Sequence, residues 1–93
     1  MEYNLKIIPR AKGDLNNIFD FIFKDALDES IAQNVIDDIL KAIRTLKTFP
    51  RRWPDFEGFP GYRQMLAGKY KVIYKIEGDL VQIVRVKHTS QYQ

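Results

Sequence analysis

Residues 70–88 read "YKVIYKIEGDLVQIVRVKH", two runs of alternating apolar and polar residues joined by Gly78-Asp79. Alternation at every second position marks a strand with one covered and one open face, and a Gly-Asp pair between two such runs predicts a hairpin. Tyr70, Val72, Tyr74 and Ile76 fall on one face of the first strand, and Lys71, Ile73, Lys75 and Glu77 on the other. The second strand is less simple. A two-residue turn sets Val81 and Ile83 beside Ile76 and Tyr74, and unbroken alternation would then carry Arg85 and Lys87 into the core. Burying unpaired cations costs far too much for that. A β-bulge near Val84–Arg85 restores the facing and lets Val86 in. A longer Glu-Gly-Asp turn is the competing solution and would bury Leu80, Val84 and Val86. Under either solution Arg85 and Lys87 end outside with Lys71 and Lys75.

Upstream, "YRQMLAG" (62–68) predicts a further strand turning at Gly68-Lys69, and "EYNLKII" (2–8) predicts a half-buried one with Tyr3, Leu5 and Ile7 inward, ended by Pro9. Between them the period changes. Ala11, Leu15, Ile18, Phe19 and Ile22 make one stripe of a helix, with Gly13 weakening its first turn. After "KDALDES", Ile31, Val35, Ile39, Ile43 and Leu46 line a second helix, widened by Ile36 and Leu40. Asp28 or Ser30 caps that helix, Ser30 with Gln33 has capping-box spacing, and Phe49-Pro50 closes it. The stretch "FPRRWPDFEGFPGY" (49–62) predicts a structured loop whose aromatics Phe49, Trp53, Phe56 and Phe59 pack inward, with Arg51 and Arg52 outward. The element order is β-α-α-β-β-β. This is an α+β fold: a mostly antiparallel four-stranded sheet with an N-terminal helical hairpin on one face and a cationic surface on the other.

The 93 residues form one domain, 1–93, since a chain this short does not carry two independent cores. The absence of cysteine removes disulfides and thiolate metal sites and fits a reducing cytosol. A single histidine removes a multi-histidine metal centre, so neither metal nor cofactor is expected. The N-terminus lacks a signal-peptide pattern, and no apolar run approaches the ~20 residues of a membrane span. The expectation is a soluble, cytoplasmic protein.

The net charge of +3 is unevenly placed. Residues 10–48 are slightly acidic, whereas residues 62–93 carry Arg63, Lys69, Lys71, Lys75, Arg85 and Lys87 against Glu77 and Asp79. That asymmetry suggests one face prepared for an anionic or acidic partner. The open face would gather Arg63, Lys71, Lys75, Arg85 and Lys87, with His88 and Tyr92 at its exit. RNA cleavage through the 2′-hydroxyl needs a base, an acid and cations around the phosphorane. His88, Tyr92, Arg63 and Arg85 supply those residue types. The plainer reading of a lone histidine near a chain end is a surface side chain.

The run "AKGDLNNIFDFI", a long helix ending "LKTFP", then "YRQMLAGKYKVIYKI" and "VQIVRVKH" resemble the RelE/ParE superfamily of bacterial type II toxins across essentially the whole chain. The pattern is carried by Ala11, Asp14, Leu15, Ile18, Arg63, Tyr74, Val86 and His88. The resemblance implies a toxin of a plasmid-stabilisation-type system, held inactive by a cognate antitoxin in a toxin–antitoxin hetero-oligomer. RelE-like members cut mRNA on the ribosome and carry arginines where this chain has Met65, Leu66 and Ala67 and, past the last strand, Thr89 to Gln91. A C-terminal His-Tyr pair is absent because Thr89 follows His88. The similarity around "YRQMLAGKYKVIY" is nearer the ParE-like branch, whose members poison DNA gyrase without a nuclease set, although "TSQYQ" also lacks the arginines common there. The implied function is therefore a ParE-like gyrase inhibitor, with Arg63, Lys71, Lys75, Arg85, Lys87 and His88 binding target or antitoxin. The alternatives are a ribosome-dependent endoribonuclease using His88, Arg63, Arg85 and Tyr92, and an inert antitoxin-binding homologue.

Overall fold

The computed structural model describes residues 2–91. β1 (Asn4–Ile7) leads through Ile8 into α1 (Pro9–Ala26), then α2 (Glu29–Arg44), a 3-10 turn (Thr45–Lys47) and a second one (Pro50–Arg52). β2 (Tyr62–Ala67), β3 (Tyr70–Glu77), β4 (Leu80–His88) and a closing 3-10 turn (Thr89–Gln91) follow. The sheet order is β1-β4-β3-β2. The β2–β3 and β3–β4 pairs are antiparallel, and β1 lies parallel to β4. The helical hairpin between β1 and β2 supplies the long connection that a parallel pair requires.

Pro9 does two jobs. It ends β1 and occupies the first turn of α1, where its missing N–H and fixed φ cost nothing, so the helix begins two residues earlier than Ala11. Asp28 rather than Ser30 caps α2, accepting from the Ser30 N–H at 2.9 Å and the Ser30 hydroxyl at 2.7 Å. Those bonds hold the Asp28 carboxyl below its usual range. The capping-box partner is engaged elsewhere: Gln33 donates to Asp37.

The core lies between helices and sheet. Ala11 and Leu15 of α1 and Ile36, Ile39 and Ile43 of α2 meet Met65, Val72, Tyr74, Val81, Ile83 and Val86, with Leu46 sealing the end. Ile31, expected in the α2 stripe, is exposed, and Ala32 takes the inward position. The register of β4 settles the two alternatives left open by the sequence. Glu77 pairs with Leu80, so Gly78-Asp79 is a two-residue turn, and the positive φ of 61° at Gly78 is one a side chain would resist. Tyr74 then pairs with Ile83 and Ile73 with Arg85, leaving Val84 as the extra residue. The bulge returns Val86 to the core. The longer turn does not occur.

Candidate functional site

β1 pairs with β4 only as far as Ile83, while β4 runs on to His88. Beyond that point an edge of β4 would present unpaired backbone groups, and the start of α1 meets it. Asp14 accepts from the Val86 N–H at 2.9 Å and from Arg85 Nε at 2.7 Å through one oxygen, and from Arg85 Nη2 at 3.1 Å through the other. Both side chains are largely covered, at 12% exposure for Asp14 and 27% for Arg85. The carboxylate raises the Arg85 pKa above its ordinary value, hydrogen bonding outweighing the opposing effect of burial. Arg85 is therefore not a free cation of the open face, as the charge pattern suggested. It is neutralised by the protein's own helix.

Arg63 is also committed. It stands opposite the fully buried Tyr74, on the helix-facing side of the sheet rather than with the lysines. Its Nη1 donates to the backbone carbonyls of Trp53 at 2.6 Å and Arg51 at 3.2 Å, with Asp55 at 4.0 Å. The Tyr74 hydroxyl donates to the Pro50 carbonyl, and burial pushes its pKa up to about 12. Together they fasten the loop to the sheet. Loop aromatics expected inside divide: Trp53 and Phe56 are half-buried, while Phe49 and Phe59 are more than half exposed, since the loop is held by bonds to its backbone carbonyls rather than by burying every ring.

Lys71, Lys75 and Lys87 do share the open face. Lys71 and Lys87 stand directly opposite one another across β3 and β4. Like charges so placed destabilise a sheet. Aromatics interleave with them: Lys71 Nζ lies 5.8 Å from the Phe56 ring centroid and Lys75 Nζ 5.8 Å from that of Tyr62. Phe56 stacks on Phe59 at 4.8 Å, and Lys75 also approaches Glu77 at 3.8 Å. Ile73, 4% exposed, forms an apolar floor.

His88 pairs with Tyr70, one residue out of phase with the lysines, and meets that ring edge-on at 5.2 Å. Its Nδ1 accepts from the Ser90 N–H at 3.1 Å and lies 2.7 Å from the Ser90 hydroxyl. It lines a half-open cleft of about 620 Å³ between α1 and the end of β4, together with Asp14, Ile18, Phe21, Tyr70 and Arg85. Phe21 is 74% exposed there. Tyr92 lies outside the described residues. Of the predicted site residues, then, three lysines come together, His88 lies in a separate cleft, and Arg63 and Arg85 serve internal bonds. Sequence reading placed Asp14 in a family pattern without giving it a task. Its position in the otherwise apolar row of Ala11, Leu15 and Ile18 was the available signal.

Across nearly the whole length, residues 5–92 match the model of the ParE toxin of the parDE type II toxin–antitoxin system. The chain belongs to the ParE toxin family. The fold of this ParE-family protein is also that of solved relatives. A chain of the chromosomal ParDE toxin–antitoxin system of P. aeruginosa superposes with a TM-score of 0.82 at 20% identity, covering 94% of this chain and 96% of that one. The RelBE2 toxin–antitoxin complex of Mycobacterium tuberculosis gives 0.69 at 20% identity over 95% and 99%. A mutant of the E. coli toxin RelE in the free state gives 0.68 at 17% over 98% and 87%. Identities this low speak to the fold alone. A 2-oxoglutarate–Fe(II) type oxidoreductase of Metarhizium majus is 24% identical over 86 residues, and the chain spans 22% of that protein's length. The residues here do not fit its iron chemistry. Such a site takes two histidines and a carboxylate, and the chain has one histidine.

Among the described residues, no helix is long and apolar enough to cross a membrane.

Proposed function

We propose that this ParE-family protein is the toxin of a type II pair, that it acts in the cytoplasm by binding DNA gyrase rather than by catalysis, and that a cognate antitoxin neutralises it. The observation that carries the choice of binding over cleavage is the dispersal of the nuclease set. A ribonuclease needs base, acid and phosphate-binding cations around one phosphorus. Here His88 sits out of phase with the lysines, and its Nδ1 already accepts from Ser90. Arg85 is paired with Asp14, and Arg63 is spent on loop carbonyls. What remains suits recognition of an acidic surface: lysines interleaved with aromatic rings, including a like-charge pair that an anionic partner would relieve. Solved relatives include toxin–antitoxin complexes, which supports an antitoxin as one such partner.

Induction of the chain alone in bacteria, with purified gyrase assayed in parallel, tests this reading. Growth arrest with a DNA-damage response and loss of supercoiling activity is expected, and His88→Ala should arrest growth almost as well as wild type. Ribosome-dependent mRNA cleavage that falls about 10²–10⁴-fold in His88→Ala would replace it with the endoribonuclease. Normal growth would replace it with an inert antitoxin-binding homologue.

A further inference from the structure

The loop at the opposite end of the sheet from His88 is held firmly, yet its most exposed recognition groups take no part in the fastening. It adjoins the Gly78-Asp79 turn, because Tyr3 N bonds to the Lys47 carbonyl while Asn4 N bonds to that of Asp79. Pro50 is buried with its carbonyl on Tyr74, and Arg63 holds the carbonyls of Arg51 and Trp53. Backbone bonds from Phe56 N to the Tyr62 carbonyl at 2.7 Å and from Gln64 N to that of Pro54 at 3.1 Å complete the fastening. None of this employs the Phe49 ring, which is 65% exposed. The guanidinium groups of Arg51 and Arg52 are likewise exposed and make no ion pair among the described residues. Arg52 lies 5.4 Å over the Trp53 ring. A shallow pocket of about 210 Å³ opens between Tyr3, Phe49, Pro50, Arg51 and Arg52.

We propose that Phe49, Arg51 and Arg52 form a second docking site, which takes an acidic protein segment with a carboxylate on the arginines and an apolar side chain against Phe49. A fastened backbone has already lost the conformational freedom that binding would otherwise cost it. Arginine and aromatic side chains are the usual energetic anchors of interfaces, and a guanidinium matches a carboxylate through two parallel hydrogen bonds. A nucleic acid fits less well. The pocket, below the usual ~300 Å³ of ligand sites, suits one side chain rather than a stack of bases. The site lies apart from both the His88 cleft and Lys71–Lys87, so it stands whether or not gyrase is the target.

Trp53, the chain's only tryptophan, reports directly on this loop. Titration of the full chain with a short capped peptide of alternating glutamate and leucine should give a saturable change in Trp53 emission, confirmed by calorimetry. By calorimetry, the double variant Arg51→Ala/Arg52→Ala should bind at least about tenfold more weakly, the scale of losing a charged hydrogen bond. Phe49→Ala should weaken binding similarly, while Arg44→Ala, an exposed cation on α2, should not. Circular dichroism should show all variants folded, since the loop's fastening uses the carbonyl of Arg51 and not its side chain. No saturable binding, equal affinity in the double variant, or an oligothymidylate outcompeting the peptide would overturn the proposal. No step of the test involves gyrase, so either reading can fail without the other.

Discussion

The carboxylate of Asp14 does for Val86 what a neighbouring strand would do. Its oxygen lies 2.9 Å from the Val86 N–H at the stretch of β4 that β1 no longer covers. A helix cannot pair with a strand edge through its own backbone, whose groups are used internally. One carboxylate projected from α1 satisfies the edge donor and, in the same bond set, neutralises Arg85. The fold thereby satisfies an edge donor and neutralises a partly covered cation with a single side chain.

Asp14→Ala should cost about 2–4 kcal/mol, because it strands both an edge N–H and a largely covered guanidinium. Asp14→Asn, which keeps an acceptor for Val86 and loses the charge, should cost less. Urea unfolding of the two variants and of Asp14→Ala/Arg85→Ala measures this. The double variant should lose clearly less than the two single losses added together. A loss below ~0.5 kcal/mol for Asp14→Ala would show that the edge is solvated at little cost.

Most of the architecture was legible because it rests on periodicity. The strands announced themselves by alternation and the helices by their stripes, and the bulge followed from refusing to bury Arg85 and Lys87. What periodicity cannot show is where a long polar side chain spends its hydrogen bonds. Arg63 and Arg85 looked like surface charge because each sits in an alternating strand. Their partners, Asp14 and the carbonyls of Arg51 and Trp53, come from distant segments or from backbone atoms that the residue letters do not specify. The same blindness sent Phe49 and Phe59 inward on composition alone. Ile31 falls outside the buried stripe for a simpler reason: a helix stripe read from spacing alone can be shifted by one residue, and at this turn Ala32, fully buried, takes the inward position while Ile31 is 46% exposed.

Tyr74 makes stability fall in strong base. Its hydroxyl stays protonated in the folded protein up to about pH 12, whereas an unfolded tyrosine ionises near ~10. Its contribution is therefore complete below the unfolded value and is lost as pH rises through the folded one. Tyr74→Phe should be less stable at neutral pH by roughly 1–2 kcal/mol, having left the Pro50 carbonyl without its donor. The gap between wild type and variant should then narrow between pH 10 and 12. Parallel denaturation curves across that range test it, and a constant gap would contradict the assignment.

Val84 is the residue β4 can spare. Removing it would pair Ile83 and Arg85 with Tyr74 and Ile73 in an unbroken ladder and leave Val86 opposite Val72, each still facing as before. The deletion should therefore give a folded protein, losing about 1–2 kcal/mol through altered twist at the Asp14–Arg85 pair. An extra residue inserted after Val84 either widens the bulge or, in an unbroken ladder, keeps the facing but slides Arg85 opposite Lys71 and Val86 opposite Tyr70, away from their places at Asp14. Thermal unfolding of both variants distinguishes them. A deletion as damaging as the insertion would mean the bulge itself, and not the facing it restores, holds the strand.

Lys87→Glu should separate stability from function. In the present sheet Lys87 confronts Lys71, a repulsion of the order of 0.2–1 kcal/mol. Glutamate converts it to a cross-strand attraction, so the variant should be at least as stable as wild type and gain a few tenths of a kcal/mol at low salt. If the lysine–aromatic face receives an acidic partner, the same change should weaken antitoxin binding by tenfold or more, about 1.4 kcal/mol, and most strongly at low ionic strength, where charges are least screened. Calorimetry with the cognate antitoxin, alongside urea unfolding of the free variant, measures both quantities. Higher stability with unchanged affinity would leave the lysine pair without a binding role and move the acidic partner to another surface.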